Sequence, residues 1–397
     1  MLSSNKVMSF VVTPASPSPE NAVKSSQTNF HSLEKSGAGR SVPGAAQSRE
    51  ISLTIRPEPG EDIGEPFARM AEALQGATIL NLLVFGSATA SAAAIEAMPR
   101  AFGRVDWPMT WADGGACNGE AIAGIQVSAF VGGAVERIRV DGHVVGSVFE
   151  DGGARHCVVG GLGPRQRSLS AEDQTKQTLE RLEAALAQGG FSLSDTVRTW
   201  FFLDKILSWY EEFNRARTQV YSGIKFRTGS LPASTGVGAR NRVGAALTVA
   251  ARAMRPLTPC AYAEETASPL QCPAPAYGSS FSRAMEIATS RRKHLLISGT
   301  ASIAPGGETP WRANVRQQVE LAMNVVEAIL HSRGFSFHDL TRAVAYFKHI
   351  ADAQVFTQWC AAHQLSSLPV VLAHCDICRD DLLFELEADA DKSIGSF

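Results

Sequence analysis

Charge of either sign is scarce in this 397-residue chain. Asp, Glu, Lys and Arg make up 19% of it, and 37 basic against 39 acidic residues leave a formal net charge of −2. Nucleic-acid binders rely on a dense field of Lys and Arg, so this balance excludes a phosphate-tracking protein, and no polybasic run marks a membrane-surface protein. Cysteines are few for the length and odd in number, seven in all, which excludes an extracellular disulfide framework. Long apolar runs are missing too. The one uncharged stretch, Ala73 to Ile95, is interrupted by Gln75, Thr78, Asn81 and Thr89. It reads as a buried strand followed by an Ala-rich helix, too polar for a lipid-exposed span. The first twenty residues have neither the apolar core nor the small-residue cleavage site of a signal peptide. No P-loop, GxSxG, HExxH or EF-hand pattern occurs. What is left is a soluble, cytoplasmic protein of enzyme size, with no nucleic-acid or membrane partner.

Residues 1–50 are rich in Ser, Pro, Gly, Asn and Gln, a composition that buries too little apolar surface to offset ordering entropy, and they read as a disordered tail. Beyond them an internal repeat emerges. Gly190-Phe191-Ser192 with Asp195 and Arg198 recurs as Gly334-Phe335-Ser336 with Asp339 and Arg342, at a constant offset. Before each lies a helical pattern, and before that a strand, His156–Gly161 or His294–Gly299. After each comes a strand, a helix opening near Trp209 or Ala353, and a closing strand, Ala245 to Ala253 or Leu382 to Ala390. The unit therefore reads strand, helix, strand, helix, strand, without the glycine-rich turn of a dinucleotide-binding fold. Two copies span 150–257 and 275–392. Residues 51–149 remain as a smaller strand-rich region, whose Ile122 to Val148 stretch reads as a hairpin adding strands to the first copy.

The closing strand of the second copy carries the chemistry. Leu382, Phe384 and Leu386 alternate with Leu383, Glu385 and Glu387, so one face is apolar and the other bears carboxyls. Thr248 stands where Glu385 does in the first copy, which predicts one working site, built in the second copy and walled by the first. Cys375 and Cys378 form a lone CxxC; without a second pair of ligands it makes a poor zinc site, so no metal is expected.

These units, notably Ile297-Ser298-Gly299-Thr300 and Phe384-Glu385-Leu386-Glu387, resemble the YjgF/RidA fold. From about Trp111 to Ala390 the chain resembles the chorismatases, in Pro108–Trp111, Arg198–Asp204, Trp209–Thr218, Pro232–Gly236 and Cys378–Glu385. The resemblance implies an α+β protein of tandem units, each a mixed sheet with two helices on one face. It implies that chorismate is the substrate, that its enolpyruvyl ether is cleaved to pyruvate, and that no organic cofactor takes part. Protonating a vinyl ether at its methylene carbon needs a positioned acid, and Glu385 is the candidate. Two substrate carboxylates need cationic or hydroxyl partners. Arg215 and Arg217 lie two apart on a helix and face different sides, and the resemblance centres on Arg217; Arg379, beside Cys378, is placed to clamp the second carboxylate, with Arg283 a further candidate. Tyr210, Tyr221, Ser234, Thr235, Gly236 and Ala284 complete the expected substrate contacts.

Cys378, seven residues before Glu385, matches the branch that forms 3-hydroxybenzoate, with room for some 4-hydroxybenzoate. The other branch gives a dihydroxycyclohexadiene carboxylate. A RidA-type imine deaminase is the rival within the fold, and a small-molecule binding protein the rival outside catalysis. The deaminase arginine of a Pro-Ala-Arg-Ser segment is absent from both Pro232-Ala233-Ser234-Thr235 and Leu368-Pro369-Val370-Val371. Sites between tandem units fit either a monomer or a homotrimer.

Overall fold

The computed structural model describes residues 48–394. The N-terminal part runs β1 (Arg49–Ile55), α1 (Glu65–Ala73), β2 (Thr78–Gly86), α2 (Ser91–Phe102), β3 (Met109–Ala112), β4 (Gly115–Ala116) and β5 (Ile122–Val131). The first repeat follows as β6 (Val135–Val140), β7 (His143–Asp151), β8 (Ala154–Leu162), α3 (Ala171–Gln188), β9 (Thr196–Leu203), α4 (Tyr210–Ser222), β10 (Ala233–Gly238) and β11 (Leu247–Pro256). The second comprises β12 (Tyr262–Thr266), β13 (Ala284–Ala288), β14 (Arg292–Ala301), α5 (Val315–Ser332), β15 (Leu340–Phe347), α6 (Ala353–Ala362), β16 (Val370–His374) and β17 (Phe384–Ser393). No helix among the described residues is long and apolar enough to cross a membrane.

The α+β architecture read from the sequence is present, and its local causes repeat. Ser170 caps α3 by accepting from the Asp173 N–H, and Asn314 caps α5 by accepting from the Gln317 N–H. Each Gly-Phe-Ser turn closes in a capping box, Ser192 with Asp195 and Ser336 with Asp339, which delivers the chain into β9 or β15. The inward stripes of α3 (Leu179, Leu182, Leu186) and α5 (Val319, Val326, Ile329) are wholly buried against their sheets. Each such side chain contributes roughly 1.5–3 kcal/mol.

Sheet orders are β10-β9-β11-β8-β7-β6 in the first repeat and β12-β13-β14-β17-β15-β16-β4 in the second. The N-terminal part departs from expectation. Only β6 and β7 extend the first repeat's sheet; β5 instead lies between β1 and β2 in a separate sheet of order β1-β5-β2-β3. The reason is burial. Ile122, Ile125, Val127, Ala129 and Phe130 are all buried, so this strand needs cover on both faces rather than an edge. The expected tail also ends earlier than position 50: Arg49 and Glu50 already pair with Val131 and Phe130, and Glu50 grips buried Arg252 through both carboxylate oxygens. The remainder of that expectation concerns residues outside those described.

The separate sheet is a third, shortened copy of the unit. β1-α1-β2-α2-β3-β5 has the element order and pairing of β8-α3-β9-α4-β10-β11: a parallel pair, β2 with β3, joined through an antiparallel β5 to β1. Register identifies equivalent residues. Glu385 pairs with Tyr346, Thr248 with Phe202 and Gly124 with Phe85. The three aromatic partners converge, with the Phe85 ring centroid 5.9 Å from that of Phe202 and 5.8 Å from that of Tyr346. The units are thus arranged about a pseudo-threefold axis within one chain.

Candidate active site

Where the first and second repeats meet, a cleft of about 550 Å³ opens, with Glu385 at its floor. Ser234 and Gly236 of β10 and the first turn of α4 form one wall; Gly299, Ala301, Cys378 and Arg379 form the other. Glu385 reaches it because β14 carries a bulge between Ile297 and Thr300, where Gly299 leaves room. A Cβ at 299 would lie 2.9 Å from the Glu385 carboxyl carbon and closer still to Oε1, so any side chain there displaces the acid. Thr235 pins this bulge, accepting from the Gly299 N–H at 2.9 Å and from Arg198 Nη2 at 2.7 Å.

Glu385 is 4% exposed. Burial pushes its pKa up to about 8, and the carboxylate of Glu387 adds to this, while Arg198 and Arg283 pull the other way. The side chain is therefore a neutral acid at pH 7. Glu387 is fully buried and held by Arg198 at 3.0 Å and Arg342 at 2.5 Å. Arg342 also grips Asp389 at 2.9 Å.

The cationic end is built around Tyr277. Its ring lies between Arg283 (5.3 Å) and Arg379 (5.2 Å), each guanidinium tied back by a carbonyl, Cys272 O or Gly307 O respectively. Both arginines are thus fixed on one ring at the edge of the cleft. On the opposite side Tyr210 and Asn214 of α4 line the cleft together with Cys378. Burial and the nearby Glu385 push the Cys378 thiol up to about 12, so it stays neutral.

Of the side chains expected from the sequence, Glu385, Cys378, Arg379, Arg283, Tyr210, Ser234 and Gly236 line this cleft. Four do not. Arg217 lies buried behind the wall, stacked on Phe213 at 4.8 Å, and donates to Asn214 Oδ1 at 2.7 Å, so it acts on the cleft through Asn214. Arg215 turns outward to Glu172. Tyr221 packs against Phe226 in the first repeat's core, because it lies three turns along α4 from the cleft. Thr235 supports the bulge from behind. Ala284 is wholly buried in the second repeat's core, since residues alternate along β13 and Arg283 takes the cleft side. Sequence reasoning missed Asn214, Gly299 and Tyr277. The Gly161/Gly299 match within the repeat pointed to the second of these. Tyr277 lies before the recurring strands and had no such signal.

The fold is one seen before. The structure resembles a crystal structure of a chorismatase with a TM-score of 0.62 at 19% identity, over 87% of this chain and all of that one. The family model for Endoribonuclease L-PSP, the YjgF/RidA family, matches residues 156–249. In sequence the chain is similar to a chorismatase of Streptomyces rapamycinicus, 26% identical over 231 residues, which is 51% of this chain and 68% of that protein. It is similar also to a 3-hydroxybenzoate synthase of Streptomyces hygroscopicus, 23% identical over half of this chain and 64% of the other. A further chorismatase of that organism matches at 27% over 48% of this chain and 60% of its own length. The chain is thus similar in sequence to chorismatases and has a YjgF/RidA-like fold, and these matches span 60–68% of the relatives' lengths.

Proposed function

We propose that the protein cleaves chorismate to pyruvate and 3-hydroxybenzoate, with Glu385 as the general acid. The observation that carries this reading is a buried, neutral carboxylic acid at the floor of a cleft edged by two fixed arginines. Glu385 delivers its proton to the methylene carbon of the enolpyruvyl group, creating an oxocarbenium-like ether. Arg283 and Arg379 hold substrate carboxylates, and Ser234 with the Gly236 backbone supports the ring.

The ring's 4-hydroxyl then attacks C3. The C3–O ether bond breaks, its electron pair completes the keto group of pyruvate, and the hydroxyl proton returns to Glu385. The resulting 3,4-epoxide opens at C4–O; C3 loses its hydrogen, and the oxygen retained on C3 becomes the phenol. Chorismate, pyruvate and 3-hydroxybenzoate balance without water, whereas the dihydroxy acid consumes one. Cys378 favours the first course: a neutral thiol lining the cleft is a weak hydrogen-bonding partner and holds a nucleophilic water poorly. Three units closing around one axis within a chain favour a monomer.

Purified protein incubated with chorismate, with pyruvate assayed enzymatically and ring products separated by chromatography, tests the reading. Pyruvate with 3-hydroxybenzoate supports it. Pyruvate with the dihydroxy acid alone overturns the branch, and no pyruvate overturns the activity.

A further inference from the structure

The pseudo-threefold arrangement creates three equivalent inter-unit positions, and their fates differ. At the position equivalent to Glu385 the units carry Gly124, Thr248 and Glu385; opposite the bulge they carry Val371, Thr110 and Thr235, fixed by their pairing with Val344, Leu83 and Trp200. Between the second repeat and the N-terminal unit the place is filled, because Val371 crowds Gly124: a Cβ on that glycine would meet Val371 Cγ2 at 2.6 Å. Between the N-terminal unit and the first repeat a cleft of about 470 Å³ opens beside this place, reaching Met109, Gly161 and Arg242 but not Thr110 or Thr248 themselves.

This second cleft is built from the same parts as the first. Its strand β8 carries a bulge matching that of β14, and the Gly161 N–H donates to Thr110 Oγ1 at 2.8 Å, as Gly299 does to Thr235. Arg242 occupies the position of Arg379. The correspondence is set by two matching hydrogen bonds nearby: Gln174 Oε1 accepts from the Ala246 N–H just as Gln318 Oε1 accepts from the Leu383 N–H, both at 2.8 Å. The acid is gone, because Thr248 replaces it.

Positive charge remains. Arg104, Arg139, Arg181 and Arg242 line the cleft against Asp106 and Asp141. Arg181 is held by Asp141 at 2.7 Å, while Arg139 and Arg242 have no side-chain partner among the described residues. Met109 and buried Trp107 supply an apolar wall, and the Trp107 indole N–H has no partner. Unpaired guanidinium groups beside an aromatic wall in a preformed concavity are the makings of a site for a small ring carboxylate.

We propose that the cleft between the N-terminal unit and the first repeat is a second binding site, which holds a small ring carboxylate without converting it. The charge of the cleft selects the anion; the choice of a hydroxybenzoate-like ring rests on the activity proposed above.

The test is calorimetric titration of the full chain with 3-hydroxybenzoate, beside a pyruvate assay of the same preparations. The wild type binds two equivalents. The Arg139→Ala/Arg242→Ala variant binds one and keeps its initial rate of pyruvate release; both residues are exposed, so truncation leaves the fold intact. Arg379→Ala loses the other equivalent. A single equivalent in the wild type, no binding at all, or two equivalents insensitive to Arg139→Ala/Arg242→Ala each overturns the second site. Equal displacement of the second equivalent by inorganic phosphate overturns the assignment of a ring carboxylate. Two equivalents in a protein that releases no pyruvate from chorismate leave the second site standing and remove the proposed activity alone.

Discussion

Replacing Gly299 by alanine isolates the placement of the acid from its identity. Gly299 is not in the left-handed region, so alanine adopts its backbone without strain. The added methyl stands 2.9 Å from Glu385 Cδ and 3.2 Å from the Thr235 methyl, and the nearest obstacle of all is Glu385 Oε1, the free end of a flexible side chain. The carboxyl group therefore retreats by on the order of 1 Å while the fold persists, and a displacement of that size costs about 10²-fold in rate. That corresponds to about 2.7 kcal/mol of transition-state stabilisation. Stability changes by no more than the ~1–3 kcal/mol of overpacking, at the low end because the obstacle moves. Pyruvate release is followed continuously through a coupled reductase, and thermal melting by circular dichroism checks the fold. Gly236→Ala is the control: its methyl would meet nothing within 4 Å, so kcat is retained and any effect falls on KM. Wild-type kcat in a fully folded Gly299→Ala variant would refute the argument that this glycine seats the acid.

The remaining predictions concern charge and product. With the Glu385 pKa near 8, kcat holds through neutrality and falls tenfold per pH unit above about 8 as the acid ionises, whereas Glu385→Gln loses on the order of 10²–10⁴-fold at every pH; a rate that rises above pH 8 contradicts this. Arg379→Ala and Arg283→Ala each remove a charge-assisted contact of roughly 1.5–3 kcal/mol, raising KM by about 10–100-fold more than they lower kcat, measured by initial rates. Cys378→Ala changes the ratio of ring products, read by chromatography, more than it changes pyruvate release. The buried groups give stability two opposing dependences on pH. Burial holds His156 and His294 neutral, with pKa values near 3 and 4, and Arg252 holds Glu50 near 2 despite its burial, so their contributions are lost as pH drops below about 6.5 for the histidines and 4.5 for the glutamate. Glu385, raised instead, contributes fully below about 4.5 and loses that contribution as pH rises towards 8; Glu385→Gln flattens this limb in a melting series.

The two complete repeats and the acid were legible because their signals are local. A Gly-Phe-Ser turn with its Asp three residues past the serine is a capping box wherever it occurs, and the Glu385 strand alternates cleanly. The third copy was hidden because it shares topology without those signals: only Leu74–Ala77 separate α1 from β2, leaving no space for the turn. Its equivalence lies in pairing register, such as Phe85 with Gly124, which no linear pattern displays. Arg217 was misplaced for a related reason. Helical spacing shows that it faces inward above Phe213, one turn back, but Phe201, which closes over it behind the wall, is brought beside it by the tertiary fold. Tyr277 escaped notice because its role depends on two arginines distant from each other in sequence, Arg283 before β13 and Arg379 before β17, closing on the same ring.

Phe85, Phe202 and Tyr346 meet where an assembly of identical subunits would place three copies of one residue. In such an assembly a gene writes every substitution three times, and a change that improves one interface is imposed on the other two. Here each position is spelled separately. Tyrosine stands in one corner and phenylalanine in two; beside them, glutamate, threonine and glycine are free to drift apart. Tethering the three modules turns symmetry from an obligation into an inheritance, so that one junction keeps its acid, another keeps only its arginines, and the last closes into packing.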